Sequence, residues 1–305
     1  MSKISRKLVL SIIAVVLTVF ALGTTTFAWF TLTNTSTVQA FEAQIVADSG
    51  IEVALGNHSS VYADPQNANW VTTLTTDTVE AYLIASYGNT QIFNHVTTVD
   101  GVNFKTLGAL AMTDTTSGYI ELPLNFRSDT AQAINWTTIS LSSTAYTWTV
   151  DVPFTDASGT ARLAGAQISV DASDGMRIAM VSDITYGDYT VAYEKPVGGS
   201  NVVLGVGGDL YNGGVGDNGS MNYYYAKNNA LPFGADTVTT LSTMTTLGAG
   251  QTVVDMVDVS GEVQDFGATY YGQVTVRIWL EGWDANTYNS ILSQIVSSAF
   301  TFQGV

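Results

Sequence analysis

On an extended chain successive side chains point to opposite faces, and this sequence alternates apolar with polar residues again and again. Ile120, Leu122, Leu124 and Phe126 interleave with Glu121, Pro123, Asn125 and Arg127. Tyr146, Trp148, Val150, Val152 and Phe154 interleave with Thr147, Thr149, Asp151 and Pro153. Met176, Ile178 and Met180 alternate around Arg177 and Ala179, and Val274, Val276, Ile278 and Leu280 alternate with Thr275, Arg277, Trp279 and Glu281. Each run predicts a strand with one buried and one wet face, which is the habit of antiparallel sheets rather than of parallel α/β sheets. Pro123 has no N–H for a ladder, so its strand is expected at a sheet edge or around a bulge.

Weaker strand signals cover 41–47, 51–55, 79–87, 91–99, 134–141, 189–193 and 252–259, separated by turn pairs such as Gly56-Asn57, Asp64-Pro65 and Asp174-Gly175. About ten strands with turn signals and no long helical period predict an all-β fold, an antiparallel β-sandwich of jelly-roll type. One short C-terminal helix is expected, with Asp284 as N-cap and Tyr288, Ile291, Leu292 and Ile295 on one face. No repeat or linker divides residues 38–305, which read as one domain with a Gly-rich insertion at 198–220.

The N-terminus has a different character. Lys3, Arg6 and Lys7 precede the apolar run 8–22, and Thr26 and Ala28 make an A-x-A-like junction. Residues 1–28 therefore read as a secretory signal peptide or a membrane anchor. Residues 8–30 would make roughly 34 Å of helix, enough to span a bilayer if uncut. In either case the remainder is expected outside the cytoplasm, secreted or on the cell surface, with any membrane contact made through this segment alone.

The chain carries 10 Lys+Arg against 26 Asp+Glu, a formal −16. Three of the basic residues and none of the acidic ones precede residue 29, leaving 7 against 26, or −19. Such a field repels phosphates, so nucleic acid is not an expected partner. Cysteine is absent, which excludes thiol catalysis and disulfide staples. His58 and His95 have no second ligand at metal-like spacing and read as ordinary polar side chains.

Residues 29–37 form an extended N-terminal arm. Phe30 and Leu32 share one parity while Phe41, Ala43 and Ile45 share the other, so the polar stretch 33–37 must bend, bulge or stay unpaired. The segment is either a loose new terminus or an arm whose Trp29, Phe30 and Leu32 complete a neighbour's sheet. The stretch Thr26-Phe-Ala-Trp-Phe-Thr31, closing a hydrophobic leader and followed by polar residues and an alternating strand, resembles the start of TasA and camelysin-type exported proteins of Gram-positive bacteria. Residues 274–302, with Arg277-Ile-Trp-Leu-Glu-Gly-Trp-Asp284, look like the closing strand and helix of similarly exported proteins. The resemblance implies a jelly roll, a leader cut by a dedicated peptidase, and a structural role in biofilm matrix fibres built by lending the N-terminal segment to the next subunit. It thus implies a homopolymer in contact with cell-envelope or matrix components.

Signals for chemistry are sparse, and the chain is expected not to be an enzyme. Asp209 and Asp217, in the Gly-rich loop 207–220, offer oxygen ligands suited to calcium, though at no EF-hand spacing; otherwise no cofactor is expected. Glu281 and Asp284, beside Trp279 and Trp283, are the best carboxylate pair for a glycosidase. Against that, Glu281 is expected on a wet strand face and Asp284 at a helix cap. Tyr223, Tyr224 and Tyr225 cannot all point inward on a strand, so they suggest a binding surface, the basis of an alternative adhesin or carbohydrate-binding reading.

Overall fold

The computed structural model describes residues 37–38, 42–48, 50–88, 91–107, 112–156, 158–195, 219–229, 245–246, 250–282, 284, 286–287 and 296–305. The leader, arm residues 29–36, and most of the Gly-rich insertion, including Asp209 and Asp217, lie outside these. So do residues 288–295 of the expected closing helix.

The described residues are predominantly β, arranged in several sheets and in no barrel. A five-stranded sheet runs in the order Gln251–Asp255, Ala133–Ser143, Val296–Gly304, Glu42–Asp48, Thr73–Leu74. In a larger, ten-stranded sheet, Tyr270–Glu281 pairs with Met176–Val181 on one flank and Ile120–Ser128 on the other. Thr190–Glu194 extends that sheet beyond Met176–Val181, and Ile51–Leu55 extends it beyond Ile120–Ser128. These ladders are antiparallel, as the alternation requires, but Glu42–Asp48 lies parallel to Val296–Gly304.

The predicted parity holds on the inner faces. Leu122, Leu124, Phe126, Val276, Ile278 and Met180 of the larger sheet are fully buried, as are Ile45, Trp136 and Phe302 of the smaller one. Phe126 and Phe302 meet edge to face at 5.1 Å across the shared core. At about 1.5–3 kcal/mol for each fully buried large side chain, this core is what holds a chain without disulfides together. At Gly272 the sheets approach closely, since a Cβ there would overlap Cγ1 of Val254. Among the described residues no helix is long and apolar enough to cross a membrane.

Four local expectations are corrected. Residues 79–87 are not a strand but part of the helix Thr76–Tyr87, capped by Thr75, whose hydroxyl accepts from Thr78 N–H, and stopped by Gly88 at φ +82°. Val79 and Leu83, four apart, form its buried stripe. Pro123 sits on an interior strand, not an edge. Its carbonyl accepts from Gly56 N–H, and the Gly56 carbonyl that a ladder N–H at 123 would have met is bonded instead by Asn125 Nδ2 at 2.9 Å. The run 146–154 breaks into Tyr146–Thr149 and Phe154–Thr155, each closing its own two-stranded ladder, with Tyr146 exposed. The three tyrosines lie not on a strand but on the helix Gly219–Asn228.

Candidate functional site

The outer face of the larger sheet was expected to be wet, yet it is covered at both ends. At one end Arg177 lies directly across from Glu194 on one neighbouring strand and from Trp279 on the other. Alternation places Glu281 on the same face as Trp279, and the chain then turns so that Asp284 reaches the same guanidinium. Arg177 grips Glu194 with two bonds, Nε to Oε2 at 3.0 Å and Nη2 to Oε1 at 2.9 Å. Nη2 also donates to Asp284 Oδ2 at 3.0 Å, and Nη1 stands 3.0 Å from Glu281 Oε2. Trp279 Nε1 donates to that same Glu281 oxygen at 3.0 Å, and Asn286 N–H donates to Asp284 Oδ1 at 2.8 Å.

Arg177, Glu281 and Asp284 have no solvent-accessible surface, and Glu194 is almost as deep. Three carboxyl groups converge on one guanidinium, with the Trp279 indole and the Asn286 backbone N–H as further donors. The lid over the cluster is the start of the helix Gly219–Asn228: buried Ser220 donates to the Asp284 carbonyl at 2.7 Å. Thr287 fastens the far side by donating to the Glu281 carbonyl. Glu281 is therefore not on a wet face, and Asp284 accepts from Asn286 N–H with one oxygen while its other oxygen is bound to Arg177; the helix it was expected to cap lies outside the described residues. A glycosidase needs a sugar between its two carboxyl groups. Here the guanidinium occupies that position.

The aromatic surface is corrected as well. Tyr223 and Tyr224 are buried, because a helix turns successive residues by about 100° and lets two of three face inward. Tyr223 packs edge-on against Trp148 and Phe154 at 5.1 and 5.3 Å, and burial pushes its phenol up to about 12. Only Tyr225 is exposed, so no three-ring platform exists for a sugar or a partner.

At the opposite end of the same face, His58 opens the short helix His58–Ala63. Asn125 directs its amide nitrogen at the carbonyls of Gly56 and Ala54, so its oxygen is the acceptor for His58 Nδ1–H at 3.0 Å and Tyr271 O–H at 2.7 Å. His58 Nε2 is then the acceptor for the Thr275 hydroxyl at 3.1 Å. Burial is the main influence on this imidazole and lowers its pKa, so it stays neutral and serves as a clasp.

The structure also brings together a pair 22 positions apart in the sequence: Lys195 Nζ lies 2.7 Å from Ser173 Oγ. A Ser–Lys nucleophile needs a neutral amine. Burial pulls the Lys195 ammonium down, but bonds to Asp174 and Asp171 at 2.8 and 2.9 Å outweigh it and raise its pKa, so the amine stays charged. Among the described residues, no group of three or more His, Asp or Glu side chains is placed to hold a metal ion. Arg177 and Glu194, missed in the sequence, had two signals: an arginine within the apolar run 176–181 and a tryptophan, Trp279, on a supposedly wet face. No family model, curated protein or solved structure matches this chain.

Proposed function

We propose that this is an exported structural protein of the bacterial cell surface or biofilm matrix, without catalytic activity. In this reading it folds as a β-sandwich of jelly-roll type and assembles into fibres by adding its N-terminal arm to the sheet of the next copy. The observation that carries it is a sheet with one flank to spare. Among the described residues Gln251–Asp255, at the end of the five-stranded sheet, has a ladder partner only in Ala133–Ser143. A strand with unpaired backbone groups is a template for another chain. The donor is the arm, whose last residue, Thr37, is rooted in a short ladder with Gln91–Ile92. Trp29, Phe30 and Leu32 would be buried against the acceptor sheet, and main-chain hydrogen bonds would supply the rest of the affinity. The leader resemblance agrees with an extracellular polymer.

Negative-stain microscopy of protein beginning at Trp29 tests this. Filaments are expected, and deleting residues 29–36, which leaves the Thr37–Val38 root intact, is expected to abolish them. Persistent monomers before the deletion would contradict the fibre role, and filaments surviving it would contradict the arm.

A further inference from the structure

Glu42–Asp48 and Val296–Gly304 lie side by side in the interior of the five-stranded sheet and run the same way, with Glu42 opposite Ser297 and Asp48 opposite Gln303. Parallel pairing puts the upstream end of the first strand and the downstream end of the last at opposite ends of one ladder. A pull between them acts along the strands and loads every hydrogen bond at once. A pull across a ladder loads only the nearest bond, and the bonds open one after another. Each bond has only a modest net worth, so geometry decides whether the set resists. Forced unfolding follows the barrier to that first sliding step rather than the equilibrium stability.

Three features oppose sliding. Val296–Gly304 is laddered on its other flank by Ala133–Ser143, from Ile134 opposite Gly304 to Ser143 opposite Val296. Past the end of the strand, Val305 and Ala133 exchange both backbone hydrogen bonds. Ile45, Phe300 and Phe302 are buried, so slipping the ladder by one residue would turn an apolar row out of the core. Upstream, the two-residue ladder of Thr37–Val38 is the weak link that yields first and delivers the load to Glu42.

We infer that this parallel pair is a mechanical clamp that lets the protein carry tension applied to its N-terminal segment without unfolding. The clamp is a property of one folded chain and does not depend on the proposed assembly.

The chain has no cysteine, so engineered pairs give unique handles for single-molecule pulling. Full-length protein carrying Thr37→Cys and Val305→Cys is pulled along the ladder. Protein carrying Thr37→Cys and Ser142→Cys is pulled across it, because Glu42 and exposed Ser142 both lie opposite Ser297. Residues before 37 bear no load in either arrangement. At one loading rate, the first pair is expected to rupture at several times the force of the second. Equal or lower force in the first pair overturns the clamp. Ser140→Cys, opposite Ala299 and level with Gln44, provides a second crosswise handle, expected to give the same low force if Ser142→Cys fails to fold. Individual molecules are pulled, so the outcome is independent of whether filaments form.

Discussion

Arg177 occupies a position where alternation along Met176–Val181 calls for a wet side chain, yet none of it meets water. Its guanidinium is what permits three carboxylates to be buried together. Arg177→Met is expected to destabilise the protein by about 3–5 kcal/mol in urea denaturation, because it leaves the carboxylates without a counter-charge. Combining it with Glu194→Gln, Glu281→Gln and Asp284→Asn should return much of that loss. A cost within error of zero for the single change would mean that the cluster is open to solvent. His58 makes a prediction of opposite character. Its folded pKa lies below the 6.5 of a free imidazole, so as pH falls the unfolded chain takes up the proton first. The stability it contributes is whole above 6.5 and is lost as pH drops toward the folded value. Melting temperature should therefore fall between roughly pH 7 and pH 5, and His58→Gln should flatten that part of the curve. Neither role was legible in the sequence. Strand parity tells which face a residue occupies, but not what lies on that face. The lid over Arg177 comes from Ser220 and from the turn after Glu281, brought together only by the tertiary fold.

At the level of elements, the long alternating runs were legible because each buries one face against a partner sheet. The runs 120–127 and 274–280 are strands with the expected inner residues buried, and 51–55 is Ile51–Leu55 without a shift. The helix Thr76–Tyr87 was not, because Val79, Tyr82, Ile84 and Tyr87 are strand-prone residues and their composition masked a Thr cap, an i, i+4 apolar pair and a terminal glycine. The strand Ile120–Ser128 was placed correctly, but its expected edge position was not, since Asn125 takes over the hydrogen bond Pro123 cannot make. Gly272 tests how closely the two sheets pack. Gly272→Ala should cost on the order of 1–3 kcal/mol by forcing Val254 aside. Adding Val254→Ala should recover part of it, as read by the shift in denaturation midpoint. No recovery would mean that the two sheets do not meet there.

For the molecule as a whole, what the described residues offer is a body of sheets with a sealed ionic cluster, a neutral histidine clasp, a sheet end with an unpaired flank, and an N-terminal strand gripped in the interior of its sheet. Glu281 and Asp284 are bound to Arg177, and Lys195 is bound to Asp171 and Asp174. Pattern reading reached the β class and the position of the first strand, but the tyrosine surface dissolved once those residues proved helical. The proposed role in holding neighbours together rests on the N-terminal arm and on the flank of Gln251–Asp255. Sedimentation velocity on protein beginning at Trp29, beside a variant carrying Trp29→Ser, Phe30→Ser and Leu32→Ser, tests that most directly. Large, polydisperse species are expected for the first and a single monomer boundary for the second; matching profiles for the two would overturn the arm-driven assembly.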